Sequence, residues 1–324
     1  MNQRESRRAA IGRLCLAPVA AVAALESTSS HAAAQTPIHV RAGAVTNDFA
    51  TPLLYALDSG MFRDAGLDVE LQVINNGTAV AAALAGNAID FGIVSLFAVV
   101  NAHARGVPLI LIAGGTMSST TVSSVGVLVL ADGPLHSPSD LSGKTVSSGA
   151  LNDILAVSIR GWIDLRGGHS DTTQFVELTG TQVGSALDAG RVAAAGVANP
   201  TLASLVATGK YRNLGDPSIG IAPHFLATAW ISSTDYVQKN PSPVRAFAAV
   251  LAKAAAYANA HQPQTAPILA KYSGIELATV SHMARAQFEP ALDPKDIQPV
   301  IDAAAKYKVI PKDFDARDII ASYS

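Results

Sequence analysis

Small polar residues and glycines recur in this sequence just after short apolar runs, and their chemistry is hydrogen bonding. Thr46, Asn47 and Phe49 follow the run that starts at Ile38, and Asn76, Gly77 and Thr78 follow the one that starts at Leu67. Ser95 follows Ile89–Val94, and Gly115 and Thr116 follow Leu109–Ala113. Further on, Ser148, Gly149 and Asn152 precede one helical stretch, Thr181 opens a second and Asn199 precedes a third. Helix starts present unpaired N–H groups and a partial positive charge. Such a set can hold a small solute, an anion included, through amides and hydroxyls without Arg or Lys. No basic residue lies in these turns, so an uncharged or singly anionic ligand is expected. For any one of these residues, capping competes with ligand contact, because Ser, Thr and Asn are favoured N-caps. Gly77 and Gly115 can equally serve turn geometry. Phe49 can stack on a ligand or pack. Trp162 is expected in the core, and Trp230 in the core or the wall of a cleft.

Covalent and metal chemistry find little support. Gly143-Lys144-Thr145 has the ending of a P-loop, but position 138 is Pro and a strand follows. The eight histidines show no ligand spacing such as H-E-x-x-H. There is no G-x-S-x-G elbow, and the single cysteine is Cys15. No catalytic residue, metal ligand or cofactor is therefore assigned. Asn76-Gly77-Thr78 fits a glycosylation sequon by chance.

The first 34 residues read as an export signal. Arg4, Arg7 and Arg8 precede the apolar stretch Ala9–Leu25, and Ser27–Ser30 and Ala32–Ala34 supply a small-residue cleavage region. Ser6-Arg7-Arg8 hints at twin-arginine export, and Sec and Tat routes both stay open. Cleavage near Ala34 removes Cys15, so the mature chain has no thiol or disulfide. It also removes four arginines and two glutamates, which takes the formal charge from −2 to −4. A mildly acidic chain carries no footprint for nucleic acid. The remaining 290 residues are ample for two lobes, given 49% hydrophobic and 15% charged residues overall.

From residue 38 strands and helices alternate. Strands are expected at Ile38–Val45, Leu67–Asn75, Ile89–Val94 and Leu109–Ala113, with helices at Thr51–Ala65, Thr78–Ala85 and Phe97–Ala104 between them. Gly66, Gly86 and Gly106 sit where C-caps belong. Residues 125–131 form a strong strand, and Asp132–Asp140 looks like a linker. A second series follows: strand Thr145–Ser147, helix Asp153–Leu165, strand Gln174–Leu178, helix Thr181–Ala189, strand Val192–Val197, helix Thr201–Ala207. Residues 213–223 form a second turn-rich crossing into strand Phe225–Ser232. Helices are then expected at Val244–Ala260, Thr265–Tyr272, Glu276–Ala286 and Pro294–Lys306, with a helix break from His261 to Pro267. Such alternation implies α/β lobes, each with a mostly parallel sheet. The expected division is a first lobe of 36–132 plus 225–324 and a second of 133–224. Ligands of open α/β sheets sit beyond the carboxyl ends of the strands.

These residues resemble a known family. Ala56-Leu57-Asp58-Ser59-Gly60-Met61-Phe62, running into Gly66-Leu67-Asp68-Val69-Glu70, is similar to the signature of the nitrate/sulfonate/taurine binding proteins, the SsuA/THI5-like, NMT1-like family. Ala83–Gly92, Gly106-Val107-Pro108, Asp140–Val146 and Ala186–Val192 with Asn199-Pro200 resemble further blocks in the family's order. The resemblance covers about residues 38–230. It departs at Ala193 and Asn199, where the family often has Asp and Glu, which weakens any transfer of substrate identity. The resemblance implies a two-lobed, type II periplasmic binding protein, monomeric, that closes by a hinge on a small sulfonate-, nitrate- or taurine-like anion. It implies delivery to the membrane permease of an ABC importer. The alternative within the resemblance is a THI5-like synthase, or binder, of pyrimidine precursors. Those synthases look cysteine- and histidine-rich at their site, unlike this chain.

Overall fold

The computed structural model describes residues 36–119 and 123–322. The segment read as an export signal, Cys15 included, lies outside them. The chain first forms β1 (Ile38–Ala44), α1 (Thr51–Asp58), α2 (Met61–Asp64), β2 (Leu67–Val73), α3 (Gly77–Ala85), β3 (Phe91–Ser95), α4 (Leu96–Ala104), β4 (Leu109–Gly114) and β5 (Thr116–Ser119). Next come β6 (Val125–Leu130), β7 (Thr145–Ser148), α5 (Ile154–Leu165), β8 (Gln174–Glu177), α6 (Gly180–Asp188), β9 (Ala194–Ala198), α7 (Thr201–Ala207) and β10 (Tyr211–Asn213). It closes with β11 (His224–Leu226), β12 (Thr228–Ser233), α8 (Thr234–Lys239), α9 (Pro241–Ala260), α10 (Gln262–Ser273), α11 (Leu277–His282), β13 (Gln287–Phe288) and α12 (Pro294–Lys306).

Two five-stranded sheets result, ordered β2-β1-β3-β12-β4 and β10-β6-β9-β7-β8, beside a small sheet β11-β5-β13. In the first sheet β12 runs antiparallel to both β3 and β4. In the second β6 runs antiparallel to both β9 and β10. Four strands of each sheet thus share a direction, and the fifth is the one that arrives from the other sheet. This is the expected α/β, two-lobed fold with two crossings, between β5 and β6 and between β10 and β11.

Several boundaries differ from expectation. Residues 125–130 pair within the second sheet, so the first crossing precedes them, and Asp132–Asp140 is a turn of that lobe rather than a linker. The helix expected over Thr51–Ala65 breaks at Gly60, whose φ is 82°. The strand expected over Phe225–Ser232 divides at Ala227 into β11 and β12. Pro267 lies inside α10, and the helix interruption is confined to His261. The helix expected over Glu276–Ala286 ends at His282.

The first core centres on a ring stack. Phe91 lies 4.1 Å and Phe62 5.1 Å from Phe247, and Trp230 meets that ring edge-on at 5.7 Å. Trp230 is 1% exposed, which places it in the core and not in a cleft wall. Trp162 packs with Val127, Leu141 and Ile159 under the second sheet.

Candidate functional site

Strand register lines up the carboxyl edge of the first sheet. β1 pairs with β3 through Ala42↔Phe91 and Gly43↔Gly92, which carries Thr46 to the level of Ser95. β1 pairs with β2 through Ala44↔Val73, which carries Thr46 to the level of Asn75. Ser95 is opposite Thr228, and Ala229 opposite Gly114 sets Thr228 level with Gly115. One row therefore runs from the β2–α3 turn through Thr46, Ser95 and Thr228 to Gly115.

Within this row the groups differ in what they leave free. Asn76 caps α3, its Oδ1 accepting from the Ala79 amide at 2.8 Å. A methyl group placed on Gly77 would come within 3.9 Å of the Ser95 nitrogen, so the starts of α3 and α4 converge at the tip of β3. Thr78 is exposed. Asn47 accepts from the Phe49 amide at 3.1 Å, and Thr46 beside it is half-buried. The Phe49 ring packs against Ala255, Ala258, Ala286 and Phe288. Thr228 ties the far end together. The Thr116 amide donates to its Oγ1 at 2.8 Å, the two hydroxyls lie 2.9 Å apart, and the Gly115 amide donates to its carbonyl at 3.0 Å. A side chain at Gly115 would collide with Thr228. Thr116 is 2% exposed, so its hydroxyl serves the sheet. Ser95 stands apart: it is the N-cap of α4, half-buried, and its side chain makes no capping bond.

The second sheet ends in a different set. Ser148 Oγ donates to both carboxylate oxygens of Asp153, at 2.9 and 3.0 Å, and the Ala156 and Ala150 amides donate to the same carboxylate at 2.7 and 3.2 Å. Burial pushes the Asp153 carboxyl up, against the lowering effect of these donors. Gly149 is exposed and Asn152 is exposed beside them. At α6, Thr179 and Gln182 form a capping box, and Thr181 Oγ1 lies 3.0 Å from Thr179 Oγ1 on the surface. At α7, Asn199 Oδ1 accepts from the Ala203 amide at 3.2 Å, and its Nδ2 donates to the Ala284 carbonyl at 2.7 Å. Ala284 follows α11 of the first lobe, so Asn199 bridges the lobes while only 3% exposed.

The structure thus gathers Ser95, Gly115 and Thr116 around Thr228, with Gly77 beside Ser95, and Ser148 and Gly149 around Asp153. Nothing in the sequence singles out Thr228, whose partners are 112 residues away. Asp153 was expected only as the first residue of the helix Asp153–Leu165, and the structure makes it the cap of a helix that starts at Ile154. Among the described residues no group of three or more His, Cys, Asp or Glu is placed to hold a metal ion, and no helix is long and apolar enough to cross a membrane. The arrangement offers hydroxyl and amide groups at the strand ends of the first sheet, and hydroxyl, amide and carboxylate groups at those of the second.

Residues 47–266 match the model of the family described as NMT1/THI5 like. A presumed binding protein of Brucella abortus (strain 2308) is 26% identical over 258 residues, 76% of each chain. The alkanesulfonate-binding protein SsuA of Xanthomonas axonopodis pv. citri, solved bound to MOPS, is 20% identical with a TM-score of 0.75 over 88% of this chain and 98% of that one. The periplasmic nitrate-binding protein NrtA of Synechocystis PCC 6803 is 14% identical with a TM-score of 0.73, over 87% of this chain and 85% of that one. The two solved structures establish the likeness of fold.

Proposed function

Because the chain belongs to the NMT1/THI5-like family, we propose that it is the solute-capturing subunit of an ABC importer. In this reading the first 34 residues direct export and are removed, the mature protein works in the periplasm as a monomer, and a permease receives its cargo. The observation that carries the reading is the row of strand tips on the first sheet, in which the Thr116 hydroxyl is committed to Thr228 while the Ser95 side chain makes no capping bond. In this reading the helix starts of the second lobe face it when the lobes close.

The mechanism is closure by differential affinity. A solute seated at Ser95 gains its second set of contacts only when the second lobe meets it, so it stabilises the closed arrangement by the energy of those contacts. The lobes touch through two hydrogen bonds, Asn199 to Ala284 at 2.7 Å and Tyr307 to Asp164 at 2.9 Å, and through Ile154 and Val157 of α5, which pack with the first-lobe cluster of Leu96 and Phe225. Each hydrogen bond contributes about 1 kcal/mol. The groups present hold and orient; no bond-making step is assigned to them.

A thermal-shift screen of the mature protein tests this. The panel contains alkyl sulfonates, nitrate, taurine, aromatic acids, pyrimidines, and simple amides and amidines. A solute at 100 times its dissociation constant adds about 2.7 kcal/mol. Ser95→Trp is expected to remove that shift while keeping a cooperative melt. A panel without a single hit, or a hit untouched by Ser95→Trp, overturns the reading.

A further inference from the structure

Away from the strand tips, a cavity of about 250 Å³ opens where α12 meets the second crossing. Gly220 and Ile221 of the crossing line one side, and Pro299, Asp302, Lys306 and Tyr307 line the other. Drug-sized ligands fill about 300–1,000 Å³, so this cavity suits a smaller molecule. Both of its sides are anchored to α5. Gly220 lies against Gly161 with no room for a side chain, and Tyr307 donates to Asp164 at 2.9 Å. The charges at its rim are held apart. Asp302 and Lys306 stand four residues along α12, in the order that favours an ion pair. Asp235 and Lys239 have the same spacing and pair at 2.7 Å. Among the described residues neither Asp302 nor Lys306 is in an ion pair. Asp302 Oδ1 instead accepts from Gln298 Nε2 at 2.9 Å. Gln298 is fixed in turn, donating to the Phe314 carbonyl at 3.0 Å and accepting from the Ala316 amide at 2.9 Å. Lys306 Nζ turns the other way and lies 5.1 Å from the centre of the Tyr307 ring. Asp164 feels the Lys306 charge but receives the Tyr307 hydroxyl, not the ammonium.

We propose that this cavity is a second binding site, separate from the strand tips, for a small zwitterion of the amino-acid class. Its ammonium meets the Asp302 carboxylate, its carboxylate meets the Lys306 ammonium, and a short side chain rests on Ile221 and Pro299. A molecule with a single charge satisfies one rim group and leaves the other as it was. The occupant spans the crossing and α12, so it favours the lobe arrangement in which the two lie together. The site stands on its own residues and does not depend on what the cleft holds.

Backbone amide shifts of the isotope-labelled protein test it, titrated with glycine, L-alanine, acetate and methylammonium. The last two carry one each of the charges that glycine carries together. Saturable shifts are expected at Gly220, Ile221 and Tyr307, with glycine and alanine bound at least about fivefold more tightly than acetate or methylammonium. Asp302→Asn and Lys306→Gln change exposed side chains, so both variants should keep the wild-type spectrum outside the cavity. Each should weaken glycine about three- to fivefold. Ser95→Trp should leave the glycine titration as it is in the wild type. Shifts that do not saturate, equal binding of glycine and either single-charge probe, or full glycine affinity in both charge variants overturns the proposal. So does a glycine response centred on Ser95 and Thr228, or one lost in Ser95→Trp, since either places the zwitterion at the strand tips. A solute screen without a hit bears on the cleft alone and leaves these titrations to decide the second site.

Discussion

Asp48 and Arg285 are 237 residues apart in sequence, yet Arg285 Nε donates to Asp48 Oδ1 at 2.7 Å, with side chains 5% and 0% exposed. The Ala286 amide fills the other carboxylate oxygen at 2.6 Å, and Thr51 and the Gln262 carbonyl complete the set. Removing one partner leaves a buried charge unpaired, so Arg285→Met is expected to cost about 3–5 kcal/mol in urea denaturation. Breaking the exposed Lys239–Asp235 pair should cost under about 1 kcal/mol. Tyr236 gives a pH signature of the same core. Burial, aided by Asp90, pushes its phenol from about 10 up to about 12. The folded chain then keeps a proton that the unfolded chain has lost, so stability is full below about pH 10 and declines as pH rises toward 12. Urea midpoints measured from pH 9.5 to 11.5 should fall more steeply for the wild type than for Tyr236→Phe.

At the scale of elements, α5 packs on the turn around Gly220 with backbone against backbone. A methyl group on Gly161 would run into the Gly220 carbonyl. Gly161→Ala should therefore destabilise by about 1–3 kcal/mol, although alanine is the better helix former by about 1 kcal/mol. A rise in the urea midpoint would show that α5 can move away from that turn. Contacts of this kind mark the limit of what sequence reveals. Local signals did well: α7 and α12 have the bounds that apolar spacing and flanking residues suggest, and Asn76 caps where a small polar residue precedes an apolar run. Strand direction was not legible, because Val125–Leu130 is equally apolar read either way. Only its pairing with β9 and β10 puts it antiparallel in the second sheet. β13 was hidden because Arg285, drawn to Asp48, pulls residues 283–288 out of the helix their composition favours. The same holds in the site. Whether Ser95 or Thr116 keeps a free hydroxyl depends on Thr228, which reaches them only through long-range register.

The whole molecule repeats one plan. Reading each sheet from its first-formed pair, the orders β2-β1-β3-β12-β4 and β8-β7-β9-β6-β10 match position for position, with the crossing strand fourth in each. A strand that belongs to one sheet by pairing and to the other by chain connection is a natural place for rotation, since its bonds need not break as the lobes turn. What resists rotation is the set of contacts away from the crossings. Asn199 holds the Ala284 carbonyl, and Ala284 is fixed in turn through Arg285 to Asp48, next to Asn47. Tyr307 holds Asp164 on another side. Each bond contributes about 0.5–1.5 kcal/mol, so losing one should shift a closed-to-open equilibrium by about 2- to 13-fold. Asn199→Ala and Tyr307→Phe are each expected to enlarge the solute-free radius of gyration in X-ray scattering and to weaken solute binding by a similar factor. Saturating solute should return both variants to the wild-type curve, because it restores the closed arrangement by mass action. If the solute-free curves of both variants superimpose on the wild type, these bonds do not govern the lobes, and rotation is set by the crossings and by the packing of Ile154 and Val157 on the first-lobe cluster.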